Sequence, residues 1–359
     1  MSTSPGPINL FEFEALAKER LPKEEYDYIA GGATDEISVD RNRRAYNSWA
    51  LRPRVLRDVS ALDLSTTVLG TKVSLPVLIA PCGGHKRAHP EGELATCRAA
   101  AACGTILAVS ANSNISFEEL ARAATGHRWL QLYPFRDREL TKEWLRRAKE
   151  AGYDAVCITL DSQWRPKRER NIRNNYRRSR GVNYSIVGSG EAPAPGRTRG
   201  AGESADPAAT WKDLAWIKSA SDLPVVAKGI MTGEDVQLCA EAGADAVIVS
   251  NHGGRHLDNT LSTIEVLSEA VAAAQGSSME ILLDGGIRRG ADVVKALALG
   301  AKAVFIGRPL FWGLAVGGEQ GVIRVLEILR EEIEITMAKC GRATVASIDS
   351  TVVVRAPPL

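Results

Sequence analysis

The chain has 359 residues, 45% of them hydrophobic and 25% charged, with a formal net charge of +2. That length allows a large domain with a substantial core, and the near-neutral balance gives no electrostatic case for a nucleic-acid or membrane-surface partner. The longest apolar runs fall well short of the roughly 20 residues a membrane helix needs, and Met1 to Leu10 shows neither a basic start nor a long apolar stretch, so no secretory signal is expected. The cysteines, Cys82, Cys97, Cys103, Cys157, Cys239 and Cys340, form no CxxC pair and none has metal spacing to a histidine. Most lie in apolar runs, as small buried hydrophobes do. A reducing, cytoplasmic setting and no resident metal are the expectations.

Asn9 starts a helical pattern that runs to Ala17, with early acids and a capping side chain. Pro22 interrupts it, and Glu24 to Ala30 reads as a second short helix closed by Gly31-Gly32. Residues up to 74 form a lead-in. From residue 75 to about 345, short apolar runs alternate with longer amphipathic stretches. The runs are 76–80, 105–109, 129–132, 155–159, 224–228, 246–250, 281–284 and 303–307. Each is short and continuously apolar, as strands buried on both faces are. Eight such units in series predict a single α/β domain, a (β/α)8 TIM barrel spanning 1–359. An open doubly wound sheet would also alternate, but no GxGxxG follows the first run. About fifty residues separate Thr159 from Trp211, far more than an ordinary connection. Residues 163–210 are therefore a candidate lid, centred on the Gly-, Ala-, Pro- and Arg-rich stretch from Gly188 to Asp206.

Chemistry in such a barrel sits at the C-terminal ends of the strands. After the sixth run comes Ser250-Asn251-His252-Gly253-Gly254-Arg255-His256-Leu257-Asp258. A neutral imidazole at His252 can take a proton near physiological pH. Arg255 can hold a carboxylate through two parallel hydrogen bonds. After the seventh and eighth runs come Asp284-Gly285-Gly286-Ile287-Arg288-Arg289-Gly290 and Gly307-Arg308-Pro309. Loops at these two positions commonly hold a phosphate, through exposed backbone N–H groups and added positive charge. Lys228 ends the fifth run, as a Schiff-base lysine or as a fixed charge near a cofactor ring. Gln131 and Tyr133 end the third run, Thr159 and Asp161 the fourth, and Ser110 the second. Asp161 can orient a histidine and stabilise its protonated form.

These residues resemble the FMN-dependent L-2-hydroxy acid oxidases and dehydrogenases, among them glycolate oxidase, lactate oxidase and mandelate dehydrogenase. The resemblance rests on the His252 to Asp258 stretch, on Tyr26-Asp27-Tyr28, on His89-Pro90-Glu91-Gly92-Glu93, and on the two glycine-arginine loops. It implies that His252 is the base, with Asp161 paired to it. Arg255, Arg168 and Tyr28 would bind the substrate carboxylate, and Tyr133 its hydroxyl. Lys228 would stabilise the reduced flavin. Ser110, Gln131 and Thr159 would bind the pyrimidine edge, and the backbone from Pro81 to Gly83 would face the ring. Asp284, Gly286, Arg288, Gly307 and Arg308 would hold the ribityl chain and phosphate. It also implies a small 2-hydroxy acid substrate and a homotetramer.

The departures narrow the reading. Cys82-Gly83-Gly84 stands where many relatives carry Thr-Ala-Met, which opens space beside the ring and resembles members that react slowly with oxygen or retain their product. Asn112 stands where a bulky residue often covers the substrate, which suggests a larger or more polar acid than glycolate. Gln163 to Arg168 replaces a more usual Pro-Arg-Leu-Gly-Arg-Arg. The basic run through Arg170, Arg173, Arg177 and Arg178 fits an anionic substrate or, more commonly, a solvated face. A decarboxylating enzyme like lactate monooxygenase is one alternative, and a relative repurposed for an amine or a modified peptide is another.

Overall fold

In the computed structural model the described residues are 6–177, 181–186 and 205–357. Eight parallel strands close into a barrel: β1 (Val77–Ile79), β2 (Ile106–Ser110), β3 (His127–Leu132), β4 (Ala155–Thr159), β5 (Val225–Ile230), β6 (Ala246–Val249), β7 (Glu280–Asp284) and β8 (Val304–Ile306). Each pairs with its sequence neighbours, and β8 closes on β1 with Val304 opposite Val77. All eight expected runs became these strands. Alternate residues point inward and fill the barrel, including Leu78, Ala108, Cys157, Val226 and Ile248, with Trp129 packed against Phe305 at 5.8 Å between ring centroids. The outward residues meet the helices. Both faces of the strands are therefore buried and largely apolar, which is why the sequence reads as continuous runs.

The lead-in does more than precede the barrel. Strands Thr66–Val68 and Thr71–Val73 form a hairpin, turning at Leu69 and Gly70, both at positive φ. Val68 and Val73 join the interior cluster, and Leu69 donates its N–H to Glu280 at the start of β7 at 3.0 Å. The hairpin thus plugs the N-terminal end of the barrel. The end of the chain returns to the lead-in, where Val353–Arg355 pairs antiparallel with Trp49–Leu51.

At the opposite end, helix Ile37–Arg44 is bound to the β6 loop. Asn42 and Asn251 exchange amide hydrogen bonds of 2.8 and 2.9 Å, both side chains buried. Asp258 receives the N–H groups of Asp35, Ile37 and Ser38 and the Thr34 hydroxyl at 2.7 to 3.3 Å, and so caps that helix from a loop more than two hundred residues away.

The long connection after β4 differs from a free lid where it is described. It contains helices Glu169–Arg173 and Val182–Ile186. Val182 donates its N–H to Ser113 at 3.0 Å, and the buried Asn183 amide bonds Ile115 and Phe117. Tyr184 is 1% exposed and packs on Trp144 at 4.9 Å. Burial of these side chains ties 181–184 to the barrel wall. The expected lid centre, apart from Ala205 and Asp206, lies outside the described residues.

Burial raises the Asp258 carboxyl, but its backbone and hydroxyl donors outweigh that and hold it at about 2. Asp258→Ala should therefore cost about 1.5–3 kcal/mol at pH 7, the range for hydrogen bonds to a charged group. Because the folded value lies below the unfolded one, this contribution is complete above the ordinary carboxylate range and disappears as pH falls toward 2. Thermal melts of both proteins from pH 7 to pH 3 check this: the gap in Tm should narrow at the acid end.

Candidate active site

The C-terminal mouth of the barrel opens into a cavity of about 860 Å³. That lies toward the upper end of small-molecule sites, about 300–1,000 Å³. Every site residue named from the sequence lines it except Asp161, which stands behind His252.

A belt of polar side chains runs around its wall. Ser110 on β2 donates to Gln131 on β3 at 3.2 Å, and Gln131 donates to Thr159 on β4 at 3.0 Å. Lys228 on β5 sits beside Thr159 in register. Its ammonium donates to the Ser250 hydroxyl at 2.9 Å and lies 3.3 Å from Asp284 on β7. Ser250 in turn donates to Asp284 at 2.9 Å and accepts the N–H of His252 at 3.1 Å. Burial alone would lower the Lys228 pKa, but Asp284 and Asp161 outweigh it and hold the group above its ordinary value. Lys228 is thus a fixed cation. Ser250 carries no role in the reading of the sequence. Its position at the end of an apolar run was the available signal, but that it joins β5, β6 and β7 is visible only in three dimensions.

His252 carries the other half of the chemistry. Its Nδ1 lies 3.0 and 3.1 Å from the two oxygens of Asp161. The carboxylate fixes the tautomer with the proton on Nδ1 and leaves Nε2 as the acceptor. Burial keeps the imidazole pKa below its ordinary value despite Asp161, so the ring is neutral at pH 7. Burial also opposes ionisation of Asp161, yet its contact with His252 and the charge of Lys228 hold that carboxyl below the usual carboxylate range. Two backbone features permit the pair. His252 has φ 55°, a left-handed conformation that costs a residue with a β-carbon and is tolerated at functional sites. Gly229 has φ 104°, and a β-carbon there would stand 2.8 Å from Asp161.

Arg255 is anchored on one side only. Its Nη1 donates to the carbonyls of Tyr28, Ile29 and Gly31 at 2.7 to 3.1 Å. No hydrogen bond from Nε or Nη2 is made among the described residues, so that edge can meet a carboxylate. Its guanidinium also lies over the Tyr28 ring, 5.0 Å from the centroid. Arg168 donates Nε to the Arg255 carbonyl at 3.1 Å and lines the same space. Tyr133 and Asn112 also face the cavity.

Both expected phosphate loops line the cavity, and part of their backbone and charge is spent on structure. The N–H groups of Arg288 and Arg289 are taken by Asp292, 3.0 Å each, which caps helix Gly290–Ala298. Arg308 clasps the carbonyls of Ile29, Gly31 and Gly253 at 2.9 to 3.1 Å. The guanidiniums of Arg288 and Arg308 bring positive charge to this corner of the cavity. Burial, with Arg255 and Arg288 close by, pushes the Arg308 pKa down to about 9. Half-buried guanidiniums crowded at one corner of a cavity point to an anionic ligand. Asp284 Oδ1 is buried with no hydrogen-bond partner, one acceptor awaiting a donor. A belt of amide and hydroxyl groups, a fixed cation, an orphan acceptor and an anion-seeking corner fit a flavin mononucleotide.

This chain is similar to known proteins across nearly their whole length. A peroxisomal (S)-2-hydroxyacid oxidase from Arabidopsis thaliana is 46% identical over 345 residues, covering 95% of this chain and 94% of the relative. An L-lactate oxidase from Nostoc is 45% identical over 362 residues, covering 98% and 99%. A mandelate oxidase variant solved with (S)-mandelic acid superposes with a TM-score of 0.89 at 37% identity, covering 98% of this chain and 99% of that one. The profile of the FMN-dependent dehydrogenases matches residues 17–355, and the chain belongs to that family.

Proposed function

We propose that this protein oxidises an L-2-hydroxy acid to the 2-oxo acid. The observation that carries the reading is the Asp161–His252 pair facing the half-anchored Arg255 across one cavity. FMN, when bound, supplies the two-electron acceptor for the substrate α-carbon, and oxygen or another acceptor reoxidises it. Ser110, Gln131, Thr159 and Lys228 would hold its ring, and Asp284, Gly286, Arg288, Gly307 and Arg308 its ribityl chain and phosphate. Pro81 and Gly83 would lie against the ring. Arg255, with Arg168 and Tyr28, would receive the substrate carboxylate and so fix which face of the α-carbon is presented. Tyr133 would bond the hydroxyl. His252 Nε2 accepts a proton from the substrate, and Asp161 stabilises the imidazolium that forms. The similarity to an (S)-2-hydroxyacid oxidase and an L-lactate oxidase supports this reading. A cytoplasmic homotetramer completes the proposal. The free state of every cysteine supports the reducing compartment.

Asn112 bears on which acid is used. The residue is 7% exposed and lines the cavity, and its amide has no hydrogen-bond partner among the described residues. A substrate whose side chain carries a hydroxyl, amide or carboxylate would satisfy it, whereas an apolar one leaves it unpaired at a cost of about 1–3 kcal/mol. The test is anaerobic addition of glycolate, L-lactate, L-mandelate, L-glycerate and L-malate to the FMN-loaded protein. One of the polar acids should bleach the flavin fastest, and Asn112→Leu should shift kcat/KM by roughly tenfold or more toward L-mandelate. No bleaching by any 2-hydroxy acid would overturn the function.

The pH dependence follows from the same pair. The base works only when unprotonated, and burial places the His252 pKa below its ordinary value. kcat/KM should rise with pH on a limb below about 6.5 and then level. Asp161 raises the His252 pKa, so Asp161→Asn should move that limb to lower pH while cutting kcat by about 100-fold or more. Initial rates between pH 4.5 and 8 read both effects.

A further inference from the structure

His256 has no task in the proposed oxidation, yet it sits against the base. Its ring lies 4.1 Å from that of His252 between centroids. Its Nδ1 is buried and makes no hydrogen bond, and its Nε2 has only a long contact of 3.4 Å with the Ser162 hydroxyl. Leaving a buried ring nitrogen unpaired costs about 1–3 kcal/mol, which marks a place where a ligand would be welcome. Asp161, His252 and His256 each offer one ligating atom, and these atoms lie within 4.8 Å of one another. Two imidazoles and one carboxylate form the donor set that zinc uses when it keeps a fourth position open, with bonds of about 2.0–2.2 Å. Small side-chain rotations would bring the three atoms to that spacing.

We propose that Asp161, His252 and His256 form an inhibitory site for a borderline divalent cation of the zinc class. The inactivation is a matter of tautomers. His252 Nδ1 is the ring atom beside Asp161. A cation on Nδ1 takes the lone pair there, so the single ring proton resides on Nε2. That nitrogen then donates and cannot accept the substrate's proton. Magnesium and calcium do not compete, because they require six or more oxygen-rich ligands. Lys228, Arg168 and Arg255 stand close enough to oppose a cation. Their repulsion makes the site weaker than a structural zinc centre, and therefore reversible. Sequence spacing hides it, because Asp161 is 91 residues from His252.

The inhibition rests on His252 being the base, but the binding does not. The FMN-loaded protein would be dialysed against zinc sulfate and the bound metal counted, and flavin reduction by the best acid timed with zinc, with magnesium, and after chelator. One zinc per chain, slowed reduction, no magnesium effect and full recovery are expected. His256→Gln should reduce without zinc at a rate within a few-fold of the parent. It should also need zinc concentrations higher by about 10–100-fold or more for the same inhibition, since even an outer partner of a metal ligand is worth that much. Cys82→Ser should leave the zinc response unchanged, which separates this site from the cavity cysteine. In the unmodified protein, zinc should also slow acylation of His252 and His256 by diethylpyrocarbonate, read by peptide mass without any variant. Zinc inhibition undiminished in His256→Gln, or abolished in Cys82→Ser, overturns the proposal, as does unslowed acylation under saturating zinc. Zinc binding without any oxidation of 2-hydroxy acids would sink the proposed function and leave the metal site standing.

Discussion

The contact between Asp161 and His252 is the constraint around which the mouth of this barrel is arranged. An ionised carboxylate removed from water costs several kcal/mol unless it is paired and hydrogen-bonded. Here the compensation comes from His252 at 3.0 Å and from the charge of Lys228. The chain also accepts local strain to make the contact. His252 lies in the left-handed region, and Gly229 removes the β-carbon that would meet Asp161. Such strain persists only where surrounding structure over-determines it. Ser250 supplies part of that support by receiving the His252 N–H.

Charge is distributed so that each group keeps one protonation state at neutral pH. Lys228 is held charged by Asp284 and Asp161, and His252 is held neutral by burial. Arg255, Arg288 and Arg308 leave an excess of positive charge facing the cavity. A cavity with this bias attracts anions, and both a phosphate and a carboxylate are anions. The same arginines are spent partly on structure. Arg255 and Arg308 bind the carbonyls of Tyr28, Ile29 and Gly31 at the C-terminal end of helix Lys23–Ala30, so the lead-in helices and the anion-binding corner stand or fall together.

Much of this was legible from the chain alone. The strands were readable because a parallel barrel buries both faces, and runs such as 155–159 and 246–249 contain no polar residue except at their C-terminal ends. Those ends then named the cavity wall, from Ser110 round to Asp284. What escaped depends on partners distant in sequence. The plug at Thr66–Val73, the Asn42–Asn251 amide pair and the Asp258 cap have no local signature. The loop after β7 reads as an anion cradle, yet Asp292 occupies two of its N–H groups. The segment 181–184 reads as part of a lid, yet burial of Asn183 and Tyr184 fastens it to the wall. His256 reads as one more polar residue in a signature, and its place against His252 comes from the turn that the two intervening glycines make.

The most direct test of the chemistry assigned to this mouth is the anaerobic rate of flavin reduction in FMN-loaded His252→Gln, measured with the best 2-hydroxy acid. Glutamine keeps bulk and polarity but cannot take a proton. Loss of a general base should slow reduction by about 10²–10⁴-fold, while the 2-oxo acid product binds within a few-fold of the parent protein. Reduction within tenfold of the parent would show that His252 is not the base and that the Asp161–His252 pair serves structure alone.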